Sequence, residues 1–247
     1  MPTSKTASEI KIMREGGKIA SLVLSEIRKS AKPGVVLVDL DSLAEKIIRE
    51  NGAKPSFKGF KGYPTATCVS VNSELVHGIP DKRKLNEGDI VGVDVGVYYK
   101  GFHTDTAITI GIGKISIEAQ KLLNITQESL FMGLKKVKAG VHLGDVQETI
   151  QTYIEKAGFS VIRNLTGHGV GKELQEEPSI PNFGKSGTGI ILKEGMTLAI
   201  EPMVAVGSWE VRVKPDGWTV VMADGSLGAH FEHTIVVTKS GCEILTK

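Results

Sequence analysis

Near the start of the chain, Ile10, Met13, Gly17, Ala20, Leu24 and Ile27 recur at helical spacing. The stretch TASE at 6–9 has the form of a capping box before them, and KPG at 32–34 supplies stop signals. A second helix is predicted over about 39–51. Leu40, Leu43, Ala44, Ile47 and Ile48 give it an apolar face, and Gly52 fits the position after its C-cap. The pattern then changes to strand-like runs at 66–72, 89–98 and 103–110. Helices return over about 116–137 and 144–157, and strands over 196–205, 209–213, 218–222 and 232–238.

Within the 89–98 strand, Val91, Val93, Val95 and Val97 share one face, and Gly92, Asp94 and Gly96 share the other. A carboxylate buried there is costly unless something compensates it. Glycines beside it leave room for a ligand. Ala199, Glu201 and Met203 repeat the arrangement in the 196–205 strand.

The two strands belong to a longer echo. KPGVVLVDL at 32–40 matches KAGVHLGDV at 138–146, and LNEGDIVGVD at 85–94 matches LKEGMTLAIE at 192–201. Two motifs in the same order indicate an internal duplication. The expectation is one domain built of two halves, about 1–115 and 116–247, with Asp94 and Glu201 equivalent. Asp105 and Glu232 are each expected to begin a further strand, one per half. Four carboxylates brought to one centre repel unless cations join them.

His168, in LTGHGVGKE, is the fifth candidate. Gly167, Gly169 and Gly171 predict a compact loop that leaves its imidazole accessible. Singly, these residues read as strand-end aspartates, an edge glutamate before Pro202 and a loop histidine. The duplicated context makes the set a metal site. Its donors suit Mn²⁺, Fe²⁺, Co²⁺ or Zn²⁺, and two ions can share bridging carboxylates.

Composition narrows the class. The chain has 247 residues, 40% hydrophobic and 23% charged, as expected of a soluble globular protein. A net charge of +2 is too mild to argue for DNA binding. Cys68 and Cys242 form no metal-binding or disulfide pattern and are expected to be reduced thiols of a cytoplasmic protein. The N-terminal stretch has no apolar leader segment, and no run is apolar enough for a membrane span. GHGVGK and the glycine-rich stretch before Lys114 lack a full phosphate-loop pattern.

Five blocks together resemble the type I methionine aminopeptidases of bacteria. They are GYPTATCVSVNSELVHGIPD, GDIVGVDVGVYYKGFHTDTA, GHGVGKELQEEPSIPNFG, LKEGMTLAIEPM and FEHTIVVT. The resemblance covers essentially the whole chain. It implies the pita-bread α/β (α+β) fold, a pseudo-twofold, curved, mainly antiparallel sheet covered by helices. It also implies two divalent ions held by Asp94, Asp105, His168, Glu201 and Glu232, with Asp105 and Glu232 bridging. Glu201 takes the proton of the attacking water in that scheme, and His77 helps bind the peptide. Phe57, Phe60, Tyr63, Cys68, Leu174 and Trp218 surround the methionine side chain.

One position departs from the family near the chemistry. Relatives read FHEEP where this chain reads LQEEP, so Gln175 replaces a histidine that steadies the tetrahedral intermediate. Gln donates a neutral hydrogen bond but carries no charge. Activity is therefore expected to be present but slower.

The resemblance implies an enzyme that removes N-terminal methionine before a small second residue. It implies nascent chains as partners and a monomer. A ribosome contact through DKRK at 81–84 competes with a solvated turn. Two alternatives stand beside this reading. One is an Xaa-Pro aminopeptidase or dipeptidase of the same fold, which generally carries an added N-terminal domain. The other is a metal-free peptide- or ribosome-binding module, a class that usually loses the ligands. Type I rather than type II is what the resemblance implies, given the short separation of His168 and Glu201 and too few cysteines for a zinc-finger extension.

Overall fold

The computed structural model describes residues 4–247. The first three residues of the stretch read above as lacking a leader lie outside that range. The helices are α1 (Ala7–Ser30), α2 (Leu37–Glu50), α3 (Ile117–Leu134) and α4 (Leu143–Lys156). The first-half strands are β1 (Lys54–Pro55), β2 (Thr67–Val71), β3 (Glu74–Val76), β4 (Ile90–Tyr99) and β5 (Phe102–Gly111). Then come β6 (Ser160–Val161), β7 (Thr166–Gly169), β8 (Glu176–Pro181), β9 (Thr197–Ile200) and β10 (Met203–Ala205). The last are β11 (Val211–Val213), β12 (Val220–Met222), β13 (Gly228–His230), β14 (Glu232–Val237) and β15 (Cys242–Ile244).

The capping box forms as expected. Thr6 accepts from the Glu9 amide, and the Glu9 carboxylate accepts from the Thr6 amide. Gly52 and Gly158 both take positive φ just past α2 and α4, where a side chain would be strained.

Nine strands make one antiparallel sheet with the path β1-β4-β5-β14-β9-β7-β8, to which β2 and β15 add at β4 and β14. Two three-stranded sheets, β13-β10-β6 and β11-β12-β3, flank it. The valine face of β4 packs under α1 and α2. Val91, Val93, Val95 and Val97 are fully buried against Val23, Ile27, Leu40 and Ile48. Each such burial is worth about 1.5–3 kcal/mol. In the second half, Leu122 and Leu130 of α3 and Val146 and Ile150 of α4 join Leu198, Ile200 and Ile235 in another core.

The echoed motifs have the same hydrogen bonds in both halves. Gly34 donates to Leu85 O at 2.7 Å and Leu85 to Val35 O at 2.9 Å. Gly140 donates to Leu192 O at 2.9 Å and Leu192 to Val141 O at 2.8 Å. Isolated bridges Val36–Lys84 and His142–Ile191 repeat the correspondence.

Four local expectations need correction. The strand predicted over 196–205 is two strands in different sheets, because it stops before Glu201 and Pro202. Proline has no N–H for the ladder. Asp105 lies inside β5 rather than at its start, whereas Glu232 does begin β14. His168 sits on a short strand, not in a loop. Gly167 and Gly169 are needed there because a Cβ would strike the Ala199 and Glu177 carbonyls. The space beside Asp94 at Gly96 is filled by the Phe57 ring and Ser56, so it is not free for a ligand.

Candidate metal centre

Strand register assembles the acidic centre. Across β2, β4, β5 and β14, Cys68 pairs with Asp94, Asp94 with Ala107, and Ala107 with Glu232. A parallel row two residues away begins with the Gly96–Asp105 pair. Thr234 continues it, since its hydroxyl accepts from Asp105 N and donates to Asp105 O, both at 2.8 Å. Ala199 pairs with Thr234 and His168 with Ala199. Residues two apart on a strand share a face, so both rows project from the same side of the sheet. Glu201 follows the end of β9, with its carbonyl held by Asn182 Nδ2 at 2.8 Å.

Asp105, His168 and Glu232 offer ligand atoms within 4.8 Å of one another. His168 Nε2 lies 4.0 Å from Asp105 Oδ2 and 3.7 Å from Glu201 Oε1. His168 Nδ1 is 2.9 Å from Gly169 O. A carbonyl only accepts, so this contact puts the proton on Nδ1 and leaves the Nε2 lone pair facing the carboxylates. Lone pair and anion repel unless a cation stands between them. Asp94 Oδ1 and Glu232 Oε1 are buried without any hydrogen-bond partner, which such a cation would satisfy.

The carboxyl groups titrate accordingly. Burial raises all four, most strongly Asp94 and Glu232, and the neighbouring carboxylates push these two further. Glu201 rises to about 8, through burial first, with His168 opposing and Asp105 adding. The residues present fit a bound divalent cation.

Above the centre lies a cavity of about 370 Å³. Its apolar wall includes Phe57, Phe60, Tyr63, Cys68, Leu174 and Trp218, and Gln175 and His77 also line it. Tyr63 meets Trp218 edge to face, with centroids 5.1 Å apart, and donates its hydroxyl to Gly78 O at 3.0 Å. His77 holds a positive φ of 57°, uncommon for a side-chain-bearing residue, and burial lowers its pKa to about 4. The structure thus brings every proposed site residue to this one cavity.

Sequence reasoning missed several others. Lys61 and Met203 also line the cavity, and Lys61 Nζ reaches Gln175 Oε1 at 3.4 Å. His230 approaches Glu201 from behind, Nε2 to Oε2 at 3.4 Å. Its signal was its spacing of two from Glu232.

Comparison with known proteins agrees with this geometry. The model of metallopeptidase family M24 matches residues 11–239. Methionine aminopeptidase 1 of Bacillus subtilis is 50% identical over 98% of this chain and 98% of its own length. The chain belongs to family M24, and within it to the methionine aminopeptidases. The crystal structure of methionine aminopeptidase from Thermotoga maritima superimposes with a TM-score of 0.99, at 51% identity and full coverage of both chains. An Xaa-Pro dipeptidase from Bacillus anthracis shares the fold at a TM-score of 0.81 and 30% identity. It is matched over 99% of this chain but only 62% of its own length. Family membership and a mixed α/β pita-bread fold agree with the expectations from sequence.

Proposed function

We propose that this chain hydrolyses the bond after an N-terminal methionine, using two divalent ions held by Asp94, Asp105, His168, Glu201 and Glu232. The observation that carries the proposal is the floor of the cavity. Four carboxylates, Asp105 and Glu232 buried and Asp94 and Glu201 nearly so, meet an imidazole lone pair there, below a cavity with an apolar wall. Asp105 and Glu232 are the bridging ligands in this reading. Asp94 completes one ion's ligand set, and His168 with Glu201 the other's. When bound, divalent ions such as Mn²⁺, Fe²⁺, Co²⁺ or Zn²⁺ supply the missing positive charge, acidify water and polarise a carbonyl.

The chain's own groups do the rest. Glu201 takes the proton of the attacking water, a role its carboxylate can fill from the cavity floor beside His168. The wall from Phe57 to Trp218 excludes water and receives the methionine side chain. His77 and Gln175 orient the peptide and donate toward its carbonyl.

The reading extends to a single type I catalytic domain of two duplicated halves joined near residue 115, acting as a monomer on nascent chains in the cytoplasm. Among the described residues no helix is long and apolar enough to cross a membrane. The basic segment at 81–84 supports a ribosome contact poorly, because Arg83 is committed to Glu74 and Asp81.

The test is methionine release from Met-Ala-Ser with and without Mn²⁺, Fe²⁺ or Co²⁺, with Ala-Pro-Gly as control. Metal-dependent release from the first peptide alone is expected. Cleavage of the control instead would transfer the chain to the Xaa-Pro reading, and silence on both would overturn hydrolysis.

A further inference from the structure

Two partly buried histidines of the central sheet each have a side-chain partner. His103 Nδ1 lies 2.9 Å from Ser56 Oγ, and His233 Nδ1 lies 3.0 Å from Thr246 Oγ1. His230 differs. It is 4% exposed, and its Nε2 is buried with no hydrogen-bond partner. The carboxylate oxygen Oε2 of Glu201 lies 3.4 Å away.

The backbone holds His230 in that position. Its amide donates to Thr109 Oγ1 at 3.0 Å, and the same hydroxyl donates to its carbonyl at 2.8 Å. In the flanking sheet, His230 pairs with Met203, two residues beyond Glu201. The break at Pro202 thus carries the chain from Glu201 directly onto the partner strand of His230. Glu201 therefore lies between two imidazoles, Oε1 toward His168 and Oε2 toward His230.

We propose that His230 is a positioning residue: its Nε2–H holds Oε2 of Glu201 so that this carboxylate faces the attacking water. This inference rests on the hydrolytic reading given above. His230 does not line the cavity, so it reaches the reacting atoms only through Glu201. A neutral imidazole has one N–H to give, and a carboxylate oxygen only accepts, so the pair is matched in kind. Groups that orient a metal-site carboxylate from behind typically change affinity or rate by about 10–100-fold when removed.

The test compares the Mn²⁺-loaded protein with His230→Leu, His230→Gln and His230→Asn, by kcat and KM on Met-Ala-Ser, Mn²⁺ affinity by calorimetry, and Tm. His230→Leu is expected to lower kcat by about 10–100-fold while KM and Mn²⁺ affinity stay within about threefold. His230→Gln keeps an N–H of similar reach and should retain kcat within about threefold. His230→Asn is too short to reach Glu201 and should resemble Leu. If Leu does not fold, the Gln–Asn pair decides the matter. An active parent with all three variants within about twofold, or Gln and Asn falling equally, overturns the inference alone. A parent silent with every metal removes it together with the reading beneath it.

Discussion

Glu74 and Glu232 are about equally buried, 4% and 2% exposed, yet their carboxyl groups move in opposite directions. Glu74 receives Arg83 Nη1 at 2.8 Å, Lys214 Nζ and the Val71 amide at 3.0 Å. Burial alone would raise its pKa, but these partners outweigh burial and it is lowered. Glu232 has burial and three carboxylate neighbours, Asp105, Glu201 and Asp94, and is raised well above its ordinary range. The first region carries its own cations, in side chains that tie β3 to the turn before Trp218. The second offers one imidazole, whose lone pair faces the acids. The chain itself supplies no side-chain cation to the second region, so its acids are neutralised by protons or by an ion from solution.

Replacing Glu201, the proposed proton acceptor, should break the second region's function most severely. Glu201→Gln is expected to lower kcat on Met-Ala-Ser by about 10²–10⁴-fold at saturating metal. Steady-state kinetics over a metal titration checks this, and recovery at high metal would contradict it. Adding an imidazole works in the other direction. Gln175→His should raise kcat about tenfold, since a charge-assisted donor is stronger than a neutral amide. An unchanged or lower kcat would count against a carbonyl-binding role for position 175.

A pair of variants tests the contrast through stability. Glu74→Gln should cost about 2–3 kcal/mol in denaturant unfolding, below the range for a fully buried pair because Arg83 and Lys214 are partly exposed. Its kcat should barely change. Glu232→Gln should instead leave the metal-free protein as stable or more stable, because it removes a buried carboxyl group whose ionised form has no cation partner in the chain. Equal losses from both would show that the two regions do not differ as described.

The smallest effect is the pH dependence of the metal-free protein. Glu201 is raised from 4.5 to about 8, and Asp94 and Glu232 are raised as well. The folded state then holds protons that the unfolded chain has released, so stability falls as pH rises from the ordinary carboxylate range through about 8. Thermal melts of chelator-treated protein should show Tm declining over that window. Metal should restore more at the upper end than at the lower.

Much of this was legible in sequence because it depends on period and spacing. The valine alternation of β4 gave its buried face, and register then followed from the strands either side. The echoed frames located Asp94 and Glu201, and the resemblance supplied His77 and the pocket wall. Other features depend on distant chain segments. Glu201 stands at a break between two sheets because Pro202 cannot continue the ladder, and its closeness to His230 arises only once β10 and β13 pair. Strands of two or three residues, such as β3, β6 and β13, are too short to show a period. The ring of Phe57 beside Gly96 is likewise a tertiary contact that local spacing does not reveal.

The central claim is that the buried acids are completed by metal. Calorimetric titration of the chelator-treated protein with Mn²⁺ near neutral pH, repeated in buffers of different ionisation enthalpy, tests it most directly. Saturation at about two ions per chain with net proton release is expected, because protonated carboxyl groups must ionise to bind metal. Asp105→Asn should weaken the binding of both ions, since they share Asp105 in the proposed ligand set. Absence of saturable binding, or binding that Asp105→Asn leaves unchanged, would contradict the account.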